Sequence, residues 1–345
     1  MAVKTATAGL DRLRQSLKDG APDNVYIFHG EETYLRRYYL EELQKLLIPA
    51  DFAEFNFHRL GGRISVQELA EAVEAMPMMA EHTLITVTDM DLYRLDEGSR
   101  NQIIELMRDF PDYCTLVFVY DLISYKPDKK MKELYAALCS RAVEVSFARQ
   151  DRAQLLRWLK RRFAALGHDI DSATADHLLF TCGTLMGDLV PEIEKIGAYA
   201  KEQKVTVADI NAVAEPILDA RVFDMTNCIT AGKYDDAARV LGELLRMQTE
   251  PIAILAAVGK ELRKLYTARL ALESGKDRLW LQKLWGMSSD YPAKLLLQAA
   301  RRVDHTWCRE AVRRCQILDL RMKSERNMDS EAELALFLME LAERK

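Results

Sequence analysis

The residue types that would carry nucleotide chemistry belong at the first strand-to-helix turn, Phe28-His29-Gly30-Glu31-Glu32-Thr33-Tyr34-Leu35. A phosphate-cradling loop there needs G-x-x-x-x-G-K-[ST]. The glycines let backbone N–H groups converge on phosphate, the lysine meets the β- and γ-phosphates, and the hydroxyl holds magnesium. This turn has one glycine, no Gly-Lys pair, and two carboxylates where phosphate would lie. Their repulsion with a triphosphate opposes binding. Neither G-K-[ST] nor G-x-G-x-x-G occurs anywhere in the chain. The expectation is a protein with no catalytic residue, no ATPase site and no cofactor.

Other reactive constellations are equally thin. The six histidines, at 29, 58, 82, 168, 177 and 305, show no H-x-x-x-H or H-E-x-x-H spacing, so no metal site is expected. Asp89 and Asp91 follow an apolar strand, and Asp96 stands beside Glu97. The carboxyl end of a strand is a proper place for metal ligands, but without a phosphate-binding partner loop they read as solvated turn residues. His82, next to Glu81, could act as a base; the favoured reading is a strand-edge residue. There is no G-x-S-x-G nucleophile elbow and no C-x-x-C pair among six scattered cysteines. Cys114 and Cys182 lie in apolar runs and read as small buried hydrophobes. The start of the chain has no apolar stretch of signal-peptide length, and no run approaches a membrane span. A reducing cytoplasm fits these features.

The elements that would position any site fall into two kinds. Over the first 147 residues strand and helix patterns alternate. Val25–His29, residues 55–58, Thr83–Thr88, residues 115–120 and residues 142–147 read as strands, with helical spacing between them. Ser65 and Glu68 form the S-x-x-E of a capping box. Interleaved strands and helices predict a parallel sheet covered on both faces. From residue 148 the strand signal ends. Helical segments follow over 151–166, 172–181, 183–201, 206–214, 219–231, 235–247, 252–274, 279–285, 291–326 with at least one break, and 330–343. The predicted organisation is α/β plus all-α, in three domains: 1–147, 148–215 and 216–345. The last boundary rests on Pro216.

With 345 residues and a net charge of −5, the chain lacks the basic excess of a protein that coats nucleic acid unaided. Charge is uneven, however: residues 1–146 carry a net −7 and residues 216–345 a net +3. Arg301, Arg302, Arg309, Arg313, Arg314, Arg321, Lys323 and Arg326 lie on the late helices. Asp304, Glu310, Asp319 and Glu325 interrupt them, so ion pairing along the helix competes with a phosphate contact.

One apolar feature stands out. The helix opened by Ser65 lines Val66, Leu69 and Val73 on one face and should stop at Pro77. That leaves Met76, Met78 and Met79, with Pro77 and Ala80, on a turn where apolar residues are usually few. Such a tip either covers the end of the sheet or presents an adaptable apolar wedge to a partner's pocket.

Six segments in order resemble the delta subunit of the bacterial DNA polymerase III clamp loader. Phe28 to Leu35 is similar to that family's YGEE-x-YL opening, and Ala75 to Leu84 occupies the place of its P-F-F-x-E-x-R-L element. Lys126 to Lys132 matches a lysine-rich helix start. Gly187 to Ile196 resembles G-x-D-x-x-x-L-x-x-E-x-E-K-L. Gly232 to Leu245 with Glu250 to Leu255, and then Arg263 to Leu265, follow the pattern of the last domain.

The resemblance implies an AAA+-like first domain without a working nucleotide site, a small helical lid, and a helical collar that joins a circular assembly. It also implies binding and opening of the sliding clamp (the beta subunit) for loading onto primed DNA, with gamma/tau motor subunits as partners through the collar and no membrane. The family's hydrophobic clamp-gripping pair falls on Met78-Met79, flanked by Met76, Pro77 and Ala80; two methionines stand where the family has aromatic or branched residues. Under the collar assignment Arg309, Arg313, Arg314, Arg321 and Lys323 become candidate contacts to a neighbouring subunit first and to DNA second. The competing readings are an ATP-hydrolysing AAA+ subunit and a helical scaffold of another complex.

Overall fold

A computed structural model describes residues 2–61, 63–287, 289–325 and 327–342, with side chains from Ala8 onward. Arg326 therefore lies outside the described residues. The chain divides into two compact units: Met1–Gln150 with Leu185–Gly187, and Asp151–Thr184 with Asp188–Lys345.

The first unit holds α1 (Ala2–Asp19), β1 (Val25–His29), α2 (Thr33–Leu47), a 3-10 turn (Ala50–Phe52), α3 (Ala53–Asn56), β2 (Phe57–Gly61), α4 (Val66–Glu74), β3 (Thr83–Thr88), α5 (Glu97–Arg108), β4 (Cys114–Val119), α6 (Lys132–Arg141) and β5 (Ala142–Ser146). The five strands form a parallel sheet in the order β2-β3-β4-β1-β5. Successive strand side chains face opposite sides, and two cores result. Val25, Ile27, Ile85, Val87, Leu116 and Phe118 join the α4, α5 and α6 side; Tyr26, Phe28, Leu84, Val117, Val143 and Val145 join the α1 and α2 side. Each fully buried aliphatic or aromatic side chain contributes roughly 1.5–3 kcal/mol. This two-sided burial explains why β3 and β4 read as continuous apolar runs.

The expected α/β-plus-helical fold class is the one observed, with local differences. Residues 55–58 were expected to be extended, yet Phe55 and Asn56 end a helical turn and the strand starts at Phe57. The side chain of Asn56 donates to the carbonyl of Phe52 four residues back, at 3.0 Å, and holds that turn closed. The helix expected from Lys129 starts at Lys132. Glu97 opens α5, so Asp96 is its N-cap, accepting from the N–H of Ser99 at 3.0 Å. Helix α1 was not foreseen, although Leu10, Leu13 and Leu17 mark its apolar stripe. It lies so close to β5 that a Cβ on Gly9 would stand 1.9 Å from the Glu144 carbonyl oxygen.

The second unit is helical: α7 (Arg152–Ala165), α8 (Ser172–Cys182), α9 (Met186–Tyr199, its first residues counted with the first unit), α10 (Val207–Val213), α11 (Leu218–Thr230), α12 (Tyr234–Arg246), α13 (Pro251–Glu273), α14 (Arg278–Trp285), α15 (Asp290–Ala300), α16 (His305–Ser324) and α17 (Ser330–Ala342). Pro251 at the first turn of α13 suits a position whose N–H has no helical partner. One end of α13 supplies Ile254, Leu255, Val258 and Leu262 to a core with α11, α12, α16 and α17. Its other end supplies Leu265, Ala268 and Ala271 to a core with α14 and α15. The break expected within 291–326 falls between Ala300 and His305, where Asp304 caps α16 by accepting from the N–H of Trp307 at 2.7 Å.

Candidate functional site

The apolar tip is built by the end of α4. Ser65 and Glu68 form the expected capping box: Glu68 N–H donates to Ser65 Oγ at 3.1 Å, and Ser65 N–H donates to Glu68 Oε2 at 2.7 Å. Val66, Leu69 and Val73 are buried, and the helix ends at Glu74, short of Pro77. Proline disfavours the helical conformation in the residue before it. Tyr113 Oη donates to the Glu74 carbonyl at 2.8 Å and fixes the helix end.

Beyond that point Met76, Met78 and Met79 are 77%, 57% and 80% exposed, and Pro77 and Ala80 are half-buried. Met79 has φ 53°, a left-handed conformation unusual for a residue with a side chain. The loop is held from the side by Asn56, which is wholly buried. Its Nδ2 donates to the Met78 carbonyl at 2.9 Å and its Oδ1 accepts from the Met78 N–H at 2.7 Å. The methionines lie on an exposed turn, as expected, and the part of Asn56 in holding that turn is new. Its only sequence signal was a polar residue between two phenylalanines.

The turn after β1 is closed by its own groups. Gly30 has φ +116°, and a Cβ there would stand 2.4 Å from the Phe147 carbonyl oxygen. Glu32 is buried; both its carboxylate oxygens accept from the Met186 N–H, at 3.2 and 3.3 Å. Glu31 pairs with Arg149 at 2.6 Å. The buried Arg36 guanidinium donates to the carbonyls of Gly30 (3.0 Å) and Tyr120 (2.9 Å) and to the Asp121 carboxylate.

At the ends of β3 and β4, Asp89 takes φ 60° and its Oδ1 accepts the N–H groups of Asp121, Leu122 and Ile123, at 2.8, 2.9 and 3.2 Å. Asp91 Oδ1 accepts from the Tyr93 N–H at 3.3 Å. These aspartates organise loops, and among the described residues no three His, Cys, Asp or Glu side chains converge as metal ligands would. Burial pushes the thiols of Cys114 and Cys182 up to about 11 and about 12, so neither is a thiolate nucleophile at neutral pH.

The late basic residues are largely paired within α16 and α17. Arg313 meets Glu310 through two bonds of 2.8 and 2.7 Å, and Arg314 meets Glu310 at 3.1 Å and the Glu340 carbonyl at 2.8 Å. Arg321 forks onto Glu333 at 3.0 and 2.9 Å, and Lys323 meets Asp319 at 2.7 Å. Arg309 is exposed. Between the two helices runs an open groove of about 370 Å³, with Ile317 and Leu336 among its lining residues. Leu320 and Met339, on the same helices, are each 68% exposed.

Comparison with known proteins bears on both units. Residues 26–148 match the family described as DNA polymerase III, delta subunit, and residues 219–341 match that described as DNA polymerase III delta subunit, C-terminal domain. The chain is 22% identical to DNA polymerase III subunit delta of Bacillus subtilis (strain 168) over 338 residues, covering 96% of each. It is 26% identical to the Escherichia coli (strain K12) subunit delta over 338 residues, covering 94% of this chain and 93% of the other. Among solved structures, the Bacillus subtilis DNA clamp loader delta protein superposes with a TM-score of 0.54 at 20% identity, covering 97% of this chain and 100% of that one.

Proposed function

The chain belongs to the DNA polymerase III delta-subunit family, and from that premise we propose that it grips the sliding clamp with its Met76–Ala80 tip and holds the ring open for loading onto primed DNA. The observation that carries this reading is the pinned loop: three exposed methionines on a backbone that Asn56 and Tyr113 hold in place. A preorganised apolar wedge binds without first losing loop entropy. Methionine adapts to an irregular pocket at low cost.

The subunit does this work without hydrolysing ATP. The inward-facing positions of the turn after β1 are taken by Glu32, Arg36 and the Phe147 carbonyl, and an incoming triphosphate would meet carboxylates. We read residues 148–215 as a lid and residues 216–345 as a collar. The collar joins the gamma/tau motor subunits. The exposed Ile317, Leu320, Leu336 and Met339 of α16 and α17 suit protein packing. The neighbouring Arg313, Arg314, Arg321 and Lys323, already neutralised by carboxylates, suit a subunit boundary better than a phosphate track; Arg309 is exposed and, among the described residues, meets no carboxylate, which leaves it to DNA. Among the described residues no helix is long and apolar enough to cross a membrane, and the subunit acts in the cytoplasm, where replication proceeds. Loss of clamp binding on changing Met78 and Met79 to Ala, with the fold intact, tests the proposal.

A further inference from the structure

We infer that Phe55 is a third anchor of the clamp contact and that Asn56 is the residue that positions it, an inference resting on the proposed role of the Met76–Ala80 tip. Seven large apolar side chains are exposed among the described residues of the first unit: Tyr38, Leu46, Phe55, Met76, Met78, Met79 and Leu122. Three belong to the tip. Phe55, 53% exposed, belongs to the turn bonded directly to it. Exposed apolar residues scattered singly need no explanation, whereas a group of four on two joined segments does.

The join is Asn56. It matches both backbone polar groups of Met78, as a neighbouring strand would, while its amide also closes the α3 turn onto Phe52. The last turn of α3 and the loop at Met78 are therefore joined through one side chain. Phe57, on the other side of Asn56, opens β2 and packs against the core on the α1 and α2 side, yet Phe55 is left at the surface. The tip itself contains no aromatic residue. Energetically dominant interface residues are enriched in aromatics, which bring rigid area at low entropic cost. Phe55 supplies that rigid ring and the methionines supply adaptable fill.

Asn56 is a positioning residue: it offers one donor and one acceptor to Met78. Aspartate at that position offers acceptors only, so its charge would face the Met78 carbonyl and the bonds donated to the Met78 and Phe52 carbonyls would be lost. The experiment measures binding of the full-length chain to its cognate clamp for Phe55→Ala, Phe55→Lys, Asn56→Asp, the Phe55→Ala/Asn56→Asp pair, and Met78→Ala/Met79→Ala. Far-UV circular dichroism checks each fold.

Hydroxyl-radical footprinting of the unmutated complex follows protection of Phe55 independently of any variant. The expected result is affinity weakened about tenfold or more by Phe55→Ala, further by Phe55→Lys, with Phe55 protected in the complex. Asn56→Asp should weaken binding, and the pair should lose less than the product of the single effects, because a misplaced ring contributes little. A merely destabilising Asn56→Asp would give multiplicative losses and would remove its positioning role. Twofold or smaller effects of both Phe55 variants and an unprotected ring, with binding lost in the methionine variant, would overturn the inference and leave the proposed function standing. Binding retained in the methionine variant would overturn both.

Discussion

Arg36 and Asp121 form an ion pair at the carboxyl ends of β1 and β4, with the guanidinium buried and the carboxylate half exposed. The same guanidinium ties the Gly30 carbonyl to the Tyr120 carbonyl. A cation on α2 thus stitches together the loops that follow β1 and β4. Removing it should loosen both. Arg36→Met strands the buried Tyr120 carbonyl and the half-buried Gly30 carbonyl and should cost about 3 kcal/mol, read by urea unfolding of the full chain. Asp121→Asn should cost about 1 kcal/mol or less, since water screens that partner.

Acid should act on the second unit through two carboxylates. The Thr174 backbone N–H, with Lys204, holds Asp171 down to about 2, and Arg313 with Arg314 holds Glu310 down to about 2. Both are lowered in the folded chain. Their contributions are therefore complete above the unfolded values near 4 and vanish as pH falls toward 2. Both carboxylates are exposed, so water screens the effect: unfolding stability should fall only slightly as pH drops below about 4, and Asp171→Asn should remove part of that fall in urea unfolding measured across pH.

The exposed apolar residues of α16 and α17 should matter for assembly and for nothing in the first unit. Leu320→Glu with Met339→Glu places charge on a surface proposed to meet a motor subunit, while both side chains already face water in the free chain. Size-exclusion chromatography should show weakened assembly with the motor subunits, while urea unfolding gives a free energy within about 0.5 kcal/mol of the parent and clamp binding is unchanged.

Much of this architecture was legible in the sequence because its signals are local. Strands β3 and β4 read from β-branched runs, α4 from Ser65 and Glu68, and the α15–α16 break is explained by the capping aspartate Asp304. The tip was legible for the same reason: Pro77 and its methionines are adjacent. What escaped depended on contacts distant in the chain. Asn56 acts on Met78, 22 residues away, and Asp89 on the N–H groups of residues 121–123, more than 30 residues away. Residues 55–58 alternate as a strand would, and only the side-chain bond from Asn56 to Phe52 shows why half of them turn. Helix α1 escaped although its leucines are spaced correctly; it is anchored by an approach to β5 that only Gly9 permits.

The most direct measurement is the affinity of the intact chain for its sliding clamp, before and after Met78→Ala/Met79→Ala, on protein whose circular dichroism and assembly with the motor subunits are unchanged. The account predicts saturable binding by the parent chain and its loss, by about a hundredfold or more, in the variant. Equal clamp affinity for the two proteins would contradict it.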